Sequence, residues 1–369
     1  MATETVTATT ELRLASPSGI VTRKILCTPL RDALPSEIPI IDISPIFSSS
    51  LEERQAVAQQ VRAAAQNMGF FYIKNHGIPA DVTQDVYEAG LEFFRQDLQT
   101  KMRADSSGTR WDKGYQGPNT QRLNPVESVD LRESFSYQYD PRYDDTVGED
   151  GMGDIPEEAR QYLAWEDDYP WEQTRNLPRL KESMMRHMGK CLRLARALTR
   201  CFALGLGLEE GLFDEKVRYP GSSYVINYYP PIEPSTEQDA RKGEEEEDKK
   251  VSIGSHTDFQ LFTILWQDLH GGLEVLNKEG QWLCAKPIEG TLVVNLGDCM
   301  QRITNDEYTS TVHRARNYSG KERVSIPIFW GFGLHETCSV VVGGEKKKYE
   351  DVKCADWIMM RIREMKQLE

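Results

Sequence analysis

The sequence predicts a mainly β fold, a sandwich or barrel, with helices flanking it. Three observations predict it. After Gly207 the chain breaks into short apolar runs separated by turn residues, at 223–229, 259–266, 273–276, 292–295 and 324–330. Many short strands at such spacing bury their apolar faces by closing on one another. Before Gly207, stretches at 51–68, 82–98 and 176–208 carry apolar residues at three- and four-residue intervals, the period of an amphipathic helix. The length, 369 residues, suits one large core with elaborations.

Taken in order, residues 1–36 are rich in Thr, Ala and Ser and lack a continuous apolar run, so they are expected to form a disordered leader. In 51–68, Val57, Val61, Ala64 and Met68 share a helix face, and Gly69 ends the helix. Phe70-Phe71-Tyr72-Ile73 reads as a buried strand, closed by a turn at Gly77 and Pro79. Residues 104–175 have many Gly, Pro, Asp and Tyr and little periodicity, which predicts long surface connections with short strands near 133–139. Leu180, Met184, Met188, Leu192, Ala195 and Leu198 form the apolar stripe of the longest helix. An acidic block from Glu244 to Asp248, within a loop over 239–250, predicts a solvated connection, and 354–365 closes the chain as a helix. The expected division is a leader (1–36), a helical and loop-rich region (37–215), a β core (216–335) and a C-terminal segment (336–369).

Charge narrows the function classes. Lys plus Arg total 44 against 58 for Asp plus Glu, a net charge of −14, which repels phosphate backbones and points away from nucleic acid toward a small-molecule substrate. Seven widely spaced cysteines, none in a C-x-x-C pair, predict reduced thiols and a cytoplasmic location. The sequence has no run of about 18 apolar residues, so no membrane span is expected.

The candidate chemistry centres on Gly254-Ser255-His256-Thr257-Asp258-Phe259. Read as the entry to a strand, it places His256 and Asp258 on one face. His313, in Ser310-Thr311-Val312-His313-Arg314, is the candidate second imidazole. Two histidines and a carboxylate leave coordination positions open and suit iron(II) and oxygen. The same parity argument puts Arg323 and Ser325 on one face of a later strand. An arginine buried in a barrel needs an anion: either a bound dicarboxylate, matched in two parallel hydrogen bonds, or an internal Asp or Glu.

At these residues the chain resembles the iron(II) and 2-oxoglutarate-dependent dioxygenases of the isopenicillin N synthase-like superfamily. The matching pieces are Ile38-Pro39-Ile40-Ile41-Asp42, Gly69-Phe70-Phe71-Tyr72-Ile73-Lys74-Asn75-His76-Gly77, Asn227-Tyr228-Tyr229-Pro230-Pro231, His256-Thr257-Asp258, Asn295-Leu296-Gly297-Asp298, Thr304-Asn305, 310–314 and Arg323-Val324-Ser325. The resemblance implies a double-stranded β-helix, or jelly roll, wrapped by N-terminal and C-terminal helices. It implies that His256, Asp258 and His313 bind iron, that Arg323 and Ser325 clamp the distal carboxylate of 2-oxoglutarate, and that Asn227 and Tyr229 help hold this co-substrate. Oxygen is then the oxidant, with ascorbate an optional reductant. The expected outcome is hydroxylation, desaturation or ring rearrangement of a metabolite, as in the tailoring steps of secondary metabolism. Strand parity offers Phe329, Gln260 and Phe262 as substrate-pocket residues, which suits an apolar or aromatic substrate bound by a monomer or weak homo-oligomer. Two rivals stand beside this reading: an iron oxidase of the same superfamily that does not use 2-oxoglutarate, and a non-catalytic metabolite-binding protein.

Overall fold

The computed structural model describes residues 8–16, 19–109, 112–124, 127–148, 154–163, 168–231, 251–317, 319–344 and 346–366. The acidic block 244–248 lies outside the described residues. The chain opens with β1 (Thr9–Ser16), β2 (Gly19–Leu26), β3 (Arg31–Asp32) and β4 (Ile40–Asp42). Helix α1 (Leu51–Asn67) leads into β5 (Phe70–Lys74), then α2 (Ala80–Phe94), the one-turn α3 (Leu98–Lys101), β6 (Gly114–Gln116) and β7 (Glu133–Gln138). After α4 (Glu157–Arg160) and the long α5 (Pro178–Gly205) come β8 (Ser223–Tyr229), β9 (Ile253–His256), β10 (Phe262–Gln267), β11 (Leu273–Leu276), β12 (Trp282–Cys284) and β13 (Thr291–Leu296). The chain ends with α6 (Asp298–Ile303), β14 (His313–Ala315), β15 (Arg323–Trp330), β16 (Thr337–Cys338), β17 (Val352–Lys353) and α7 (Cys354–Lys366).

Two sheets make the core. The larger runs β4-β5-β13-β10-β15-β8-β7-β6 and the smaller β3-β12-β11-β14-β9. Their facing surfaces meet where Phe70, Tyr72 and Val293 of the larger sheet pack with Leu273, Val275 and Leu283 of the smaller. The opposite face of the larger sheet, including Phe71, Ile73, Ile264, Ile326 and Ile328, packs on α1, α2 and α5 through Val57, Val61, Val86, Leu192 and Phe202. Strands covered on both faces need apolar residues in continuous runs. This is why Phe70-Phe71-Tyr72-Ile73 lacks alternation. The join between α1 and β5 depends on Gly69: its φ is +68°, and a Cβ there would sit 1.9 Å from the Thr309 carbonyl oxygen, so only glycine fits.

The first expectation to fail is the disordered leader. Residues 9–16 and 19–26 pair as antiparallel strands. Leu12 and Leu14 alternate onto one face and, with Ile25, cover Leu276, Trp282 and Val312 on the outside of the smaller sheet. A pattern of two leucines is too short to read as a strand until the sheet it covers is known. The reduced thiols are also revised: Cys299 and Cys338 are bonded, bringing α6 to β16. Cys27, Cys191, Cys201, Cys284 and Cys354 are free.

Candidate metal and co-substrate site

β9 ends at His256, and His256 stands directly opposite His313 of β14. Asp258 therefore lies beyond the strand, in the turn before β10, and strand alternation is not what brings it to the histidines. The turn does so: Asp298 N–H donates to the Asp258 carbonyl at 2.7 Å, and Gly297 N–H to that of Leu261 at 2.9 Å. Gly297 permits this approach, since a Cβ there would lie 2.3 Å from the Gln260 carbonyl oxygen and 2.9 Å from that of Asp258. On the far side, Thr257 Oγ1 donates to Asp298 Oδ2 at 3.0 Å, and the fully buried Arg361 of α7 pairs with the same oxygen at 2.5 Å.

Asp258 Oδ1 faces both Nε2 atoms, 3.7 Å from His256 and 3.8 Å from His313. One ligand atom from each of the three residues lies within 4.8 Å of the other two. Both rings are oriented through Nδ1, which donates to the Gly254 carbonyl at 2.7 Å in His256 and to the Thr311 carbonyl at 3.2 Å in His313. That leaves the Nε2 lone pairs turned inward. Burial, with the second ring beside it, lowers the His256 pKa and keeps the imidazole neutral. Burial works to raise the Asp258 carboxyl, but His313, His256 and the hydrogen bonds from Thr263 and Asn295 outweigh it and hold the carboxylate ionised. Asn295 Nδ2 donates to Asp258 Oδ2 at 2.6 Å and Thr263 Oγ1 donates to the same atom, so Oδ1 is the oxygen left for a ligand. Two imidazole nitrogens and one carboxylate oxygen fit iron(II).

The second half of the site is a stripe on β8 and β15, where Arg323 stands opposite Tyr229 and Ser325 opposite Asn227. Tyr229 Oη lies 3.0 Å from Ser325 Oγ. Arg323 is 2% exposed, stacks on the Tyr229 ring at 4.4 Å and donates to Gln267 Oε1 at 3.3 Å. Its Nε and Nη1 have no hydrogen-bond partner, and no carboxylate among the described residues forms an ion pair with it. A buried guanidinium with free donors fits a carboxylate brought in by a ligand, and the internal ion pair left open by the sequence is absent among the described residues.

Two connected chambers surround these groups. The inner, about 240 Å³, is lined by the triad together with Arg323, Ser325, Asn227 and Tyr229. The outer, about 360 Å³, shares His256, Asp258, Arg132 and Phe329 with it and extends past Gln260 to Leu334, Ile358 and Ile362. Of the pocket residues expected from parity, Phe329 and Gln260 are on the wall. Phe262 is not: it is fully buried against Phe202 and Trp330 on the helix-facing side. Parity counted from His256 breaks at the Asp258 turn, and in β10 it is Thr263 and Leu265 that face the chamber. A larger cavity of about 800 Å³ lies apart from the triad between α1 and α5, and its Arg54 and Arg200 are paired with Glu210 and Asp214.

Sequence reasoning missed Arg132, Thr263 and the role of Asn295. Asn295 and Gly297 stood in a recognised motif without a task, whereas Arg132 follows a loop-rich stretch with no periodicity to mark it.

A β sandwich with two imidazoles and a carboxylate at one mouth, beside a buried unpaired arginine, defines a non-haem iron oxygenase that takes a carboxylate co-substrate. Residues 38–158 match the family described as the non-haem dioxygenase in morphine synthesis N-terminal region, and 220–331 match the 2OG-Fe(II) oxygenase superfamily. The chain is 55% identical over 370 residues to the 2-oxoglutarate-Fe(II) type oxidoreductase ppzC of Metarhizium majus, covering 98% of this chain and 97% of that one. It is 31% identical to the 2-oxoglutarate-Fe(II) type oxidoreductase hxnY of Emericella nidulans, covering 88% and 89%. Among solved structures, full-length Neurospora crassa T7H in complex with alpha-KG superposes with a TM-score of 0.72 at 24% identity over 91% of this chain and 99% of that one, a likeness of fold. The chain belongs to the 2OG-Fe(II) oxygenase superfamily. It is a non-haem iron(II) and 2-oxoglutarate-dependent dioxygenase with the jelly-roll core that the sequence resemblance implied.

Proposed function

We propose that His256, Asp258 and His313 hold the iron, that Arg323 and Ser325 bind the distal carboxylate of 2-oxoglutarate, and that Asn227 and Tyr229 flank its metal-bound end. The observation that carries this reading is the pair of orphaned Arg323 nitrogens, Nε and Nη1, in the chamber that the triad lines. When bound, iron(II) and 2-oxoglutarate supply oxygen activation coupled to decarboxylation of the keto acid to succinate and carbon dioxide, with oxidation of a substrate C–H bond. The protein's part is placement. Asn295 and Thr263 hold Asp258 Oδ2, so Oδ1 meets the metal. Nδ1–H bonds to backbone carbonyls hold each histidine in the tautomer that ligates through Nε2. Arg323, stacked on Tyr229, offers its free donors to a carboxylate.

The substrate we infer is a small metabolite with an apolar or aromatic body, oxidised by hydroxylation, desaturation or ring rearrangement as in secondary metabolism. Leu163, Phe259, Leu334, Ile358 and Ile362 give the outer chamber an apolar wall, to which Gln260 also belongs, and Phe329 lines both chambers. The catalytic core is 216–335. The net charge of −14 supports a protein that avoids nucleic acid, and we infer a cytoplasmic monomer or weak homo-oligomer. No helix among the described residues is long and apolar enough to cross a membrane.

Anaerobic addition of iron(II) and then 2-oxoglutarate tests the assignment. A visible charge-transfer band is expected, and His256→Ala should abolish both the band and substrate-dependent succinate formation. Full succinate production by His256→Ala would overturn the ligand set.

A further inference from the structure

Arg132 stands immediately before β7, and β7 lies beside β8 with Ser134 opposite Asn227. Its guanidinium reaches across this register: Nη1 donates to Asn227 Oδ1, and Nη2 donates to Gln121 Oε1 at 2.5 Å. Arginine offers only donors, so the Asn227 amide has a single orientation. Its carbonyl oxygen turns to Arg132 and its Nδ2 away from it, and Asn227 and Arg132 both line the inner chamber. The Gln121 amide is set by the same logic, because its Nε2 donates to Gln116 Oε1 at 2.6 Å. Ser134 Oγ donates to that Gln116 oxygen at 3.2 Å. A relay of polar side chains thus runs along the chamber wall from β6 to the Asn227 amide. All but Asn227 come from the N-terminal half of the chain.

We propose that Arg132 is a positioning residue for 2-oxoglutarate. By holding Asn227 Oδ1 it presents Asn227 Nδ2 as a donor to the metal-side carboxylate of the co-substrate. The inference rests on the reading of the inner chamber as the 2-oxoglutarate site. Without Arg132 the amide is free to turn its oxygen into the chamber, where it would face an anion with an acceptor. One rotation then exchanges attraction for repulsion. Arg132 therefore acts on affinity through Asn227.

The test is 2-oxoglutarate affinity, read anaerobically from the charge-transfer band of the iron(II)-loaded protein, in a double-mutant cycle. Arg132→Met should weaken 2-oxoglutarate about tenfold while leaving iron(II) affinity within a factor of about two, and Asn227→Ala should weaken it at least as much. The double variant should bind no more weakly than Asn227→Ala alone, because the effect of Arg132 vanishes once the amide is gone. Arg132→Lys, which keeps a donor, should recover most of the affinity. Gln121→Leu, which removes a second hydrogen-bond partner of the guanidinium and leaves its pair with Asp130, gives an independent arm should Arg132→Met not fold. It should weaken 2-oxoglutarate several-fold in the wild-type background and not at all in Asn227→Ala. Multiplicative losses in the double variant, or unchanged affinity in Arg132→Met, would overturn the proposal and leave the site assignment standing. Absence of the band in the unmodified protein would overturn the reading of the chamber, and this inference with it.

Discussion

Replacing Arg323 with methionine should stabilise the ligand-free protein and cripple its binding of 2-oxoglutarate, two effects of opposite sign from one substitution. Methionine follows the aliphatic stem of arginine and fills most of the same space. The losses in the free protein are the stack on Tyr229, about 0.5–2 kcal/mol, and the 3.3 Å hydrogen bond to Gln267, about 0.5–1.5 kcal/mol. Against them stands the removal of a charge that is 2% exposed, has two nitrogens without acceptors and forms no ion pair with a described residue, a burden of several kcal/mol. The net expectation is a gain of about 1–3 kcal/mol and a rise of a few degrees in Tm. With 2-oxoglutarate the balance reverses, because truncating one partner of a buried charge pair costs about 2–5 kcal/mol, roughly 30- to 4,000-fold in affinity. Saturating the wild type at a hundred times its Kd adds about 2.7 kcal/mol of stability. Calorimetry with and without 2-oxoglutarate should therefore rank the variant above wild type in its absence, and adding 2-oxoglutarate should raise the wild type by clearly more than the variant. A variant with lowered Tm and unchanged affinity would refute the reasoning, since it would mean that Arg323 is already satisfied within the protein.

Asn295→Ala removes one of the two hydrogen bonds that hold Asp258 Oδ2 and should weaken iron(II) about 10-fold, the low end for a partner of a ligating carboxylate, in a chelator competition; an unchanged constant would remove Asn295 from the site. Gly297→Ala forces its Cβ against the Gln260 and Asp258 carbonyls and should cost about 1–3 kcal/mol in denaturant unfolding while also lowering iron affinity. Asp298→Ala leaves the buried Arg361 only part of its ion-pairing, the bond to Glu364, and should cost about 3 kcal/mol, the low end for breaking a buried pair. Limited proteolysis should then cut α7 first, and equal protection of α7 in variant and wild type would argue against its anchorage there. His187 is buried with Nδ1 2.9 Å from Tyr224 Oη, and burial lowers its pKa to about 3. The unfolded chain takes up that proton near pH 6.5, so stability falls as pH drops from 6.5 toward 3, by up to about 1.4 kcal/mol per pH unit. His187→Phe should flatten this fall in urea titrations between pH 6 and 4.5, and parallel curves would sink the assignment.

Much of the fold was legible because it repeats a local period. α1 and α5 end within about three residues of their expected limits, and β8 and α7 match to within a residue. Period fails where a run is short or a strand ends early. The hairpin of β1 and β2 carries too few alternating leucines to stand out, and Phe262 was assigned to the pocket because alternation was carried through a turn that resets it. The pairing of Cys299 with Cys338 joins residues whose spacing carries no signal.

Residue types and spacing in the chain were enough to nominate His256, Asp258, His313, Arg323 and Ser325, because ligand chemistry restricts which side chains can serve and their motifs are local. Only the folded chain decided that Asp258 reaches the histidines from a turn held by Gly297 and Asp298. Folding also decided that Arg323 has no internal counter-ion among the described residues, and that Arg132 meets Asn227 across 95 positions. Those facts depend on strand register and on the distances between segments remote in sequence, which no local pattern encodes.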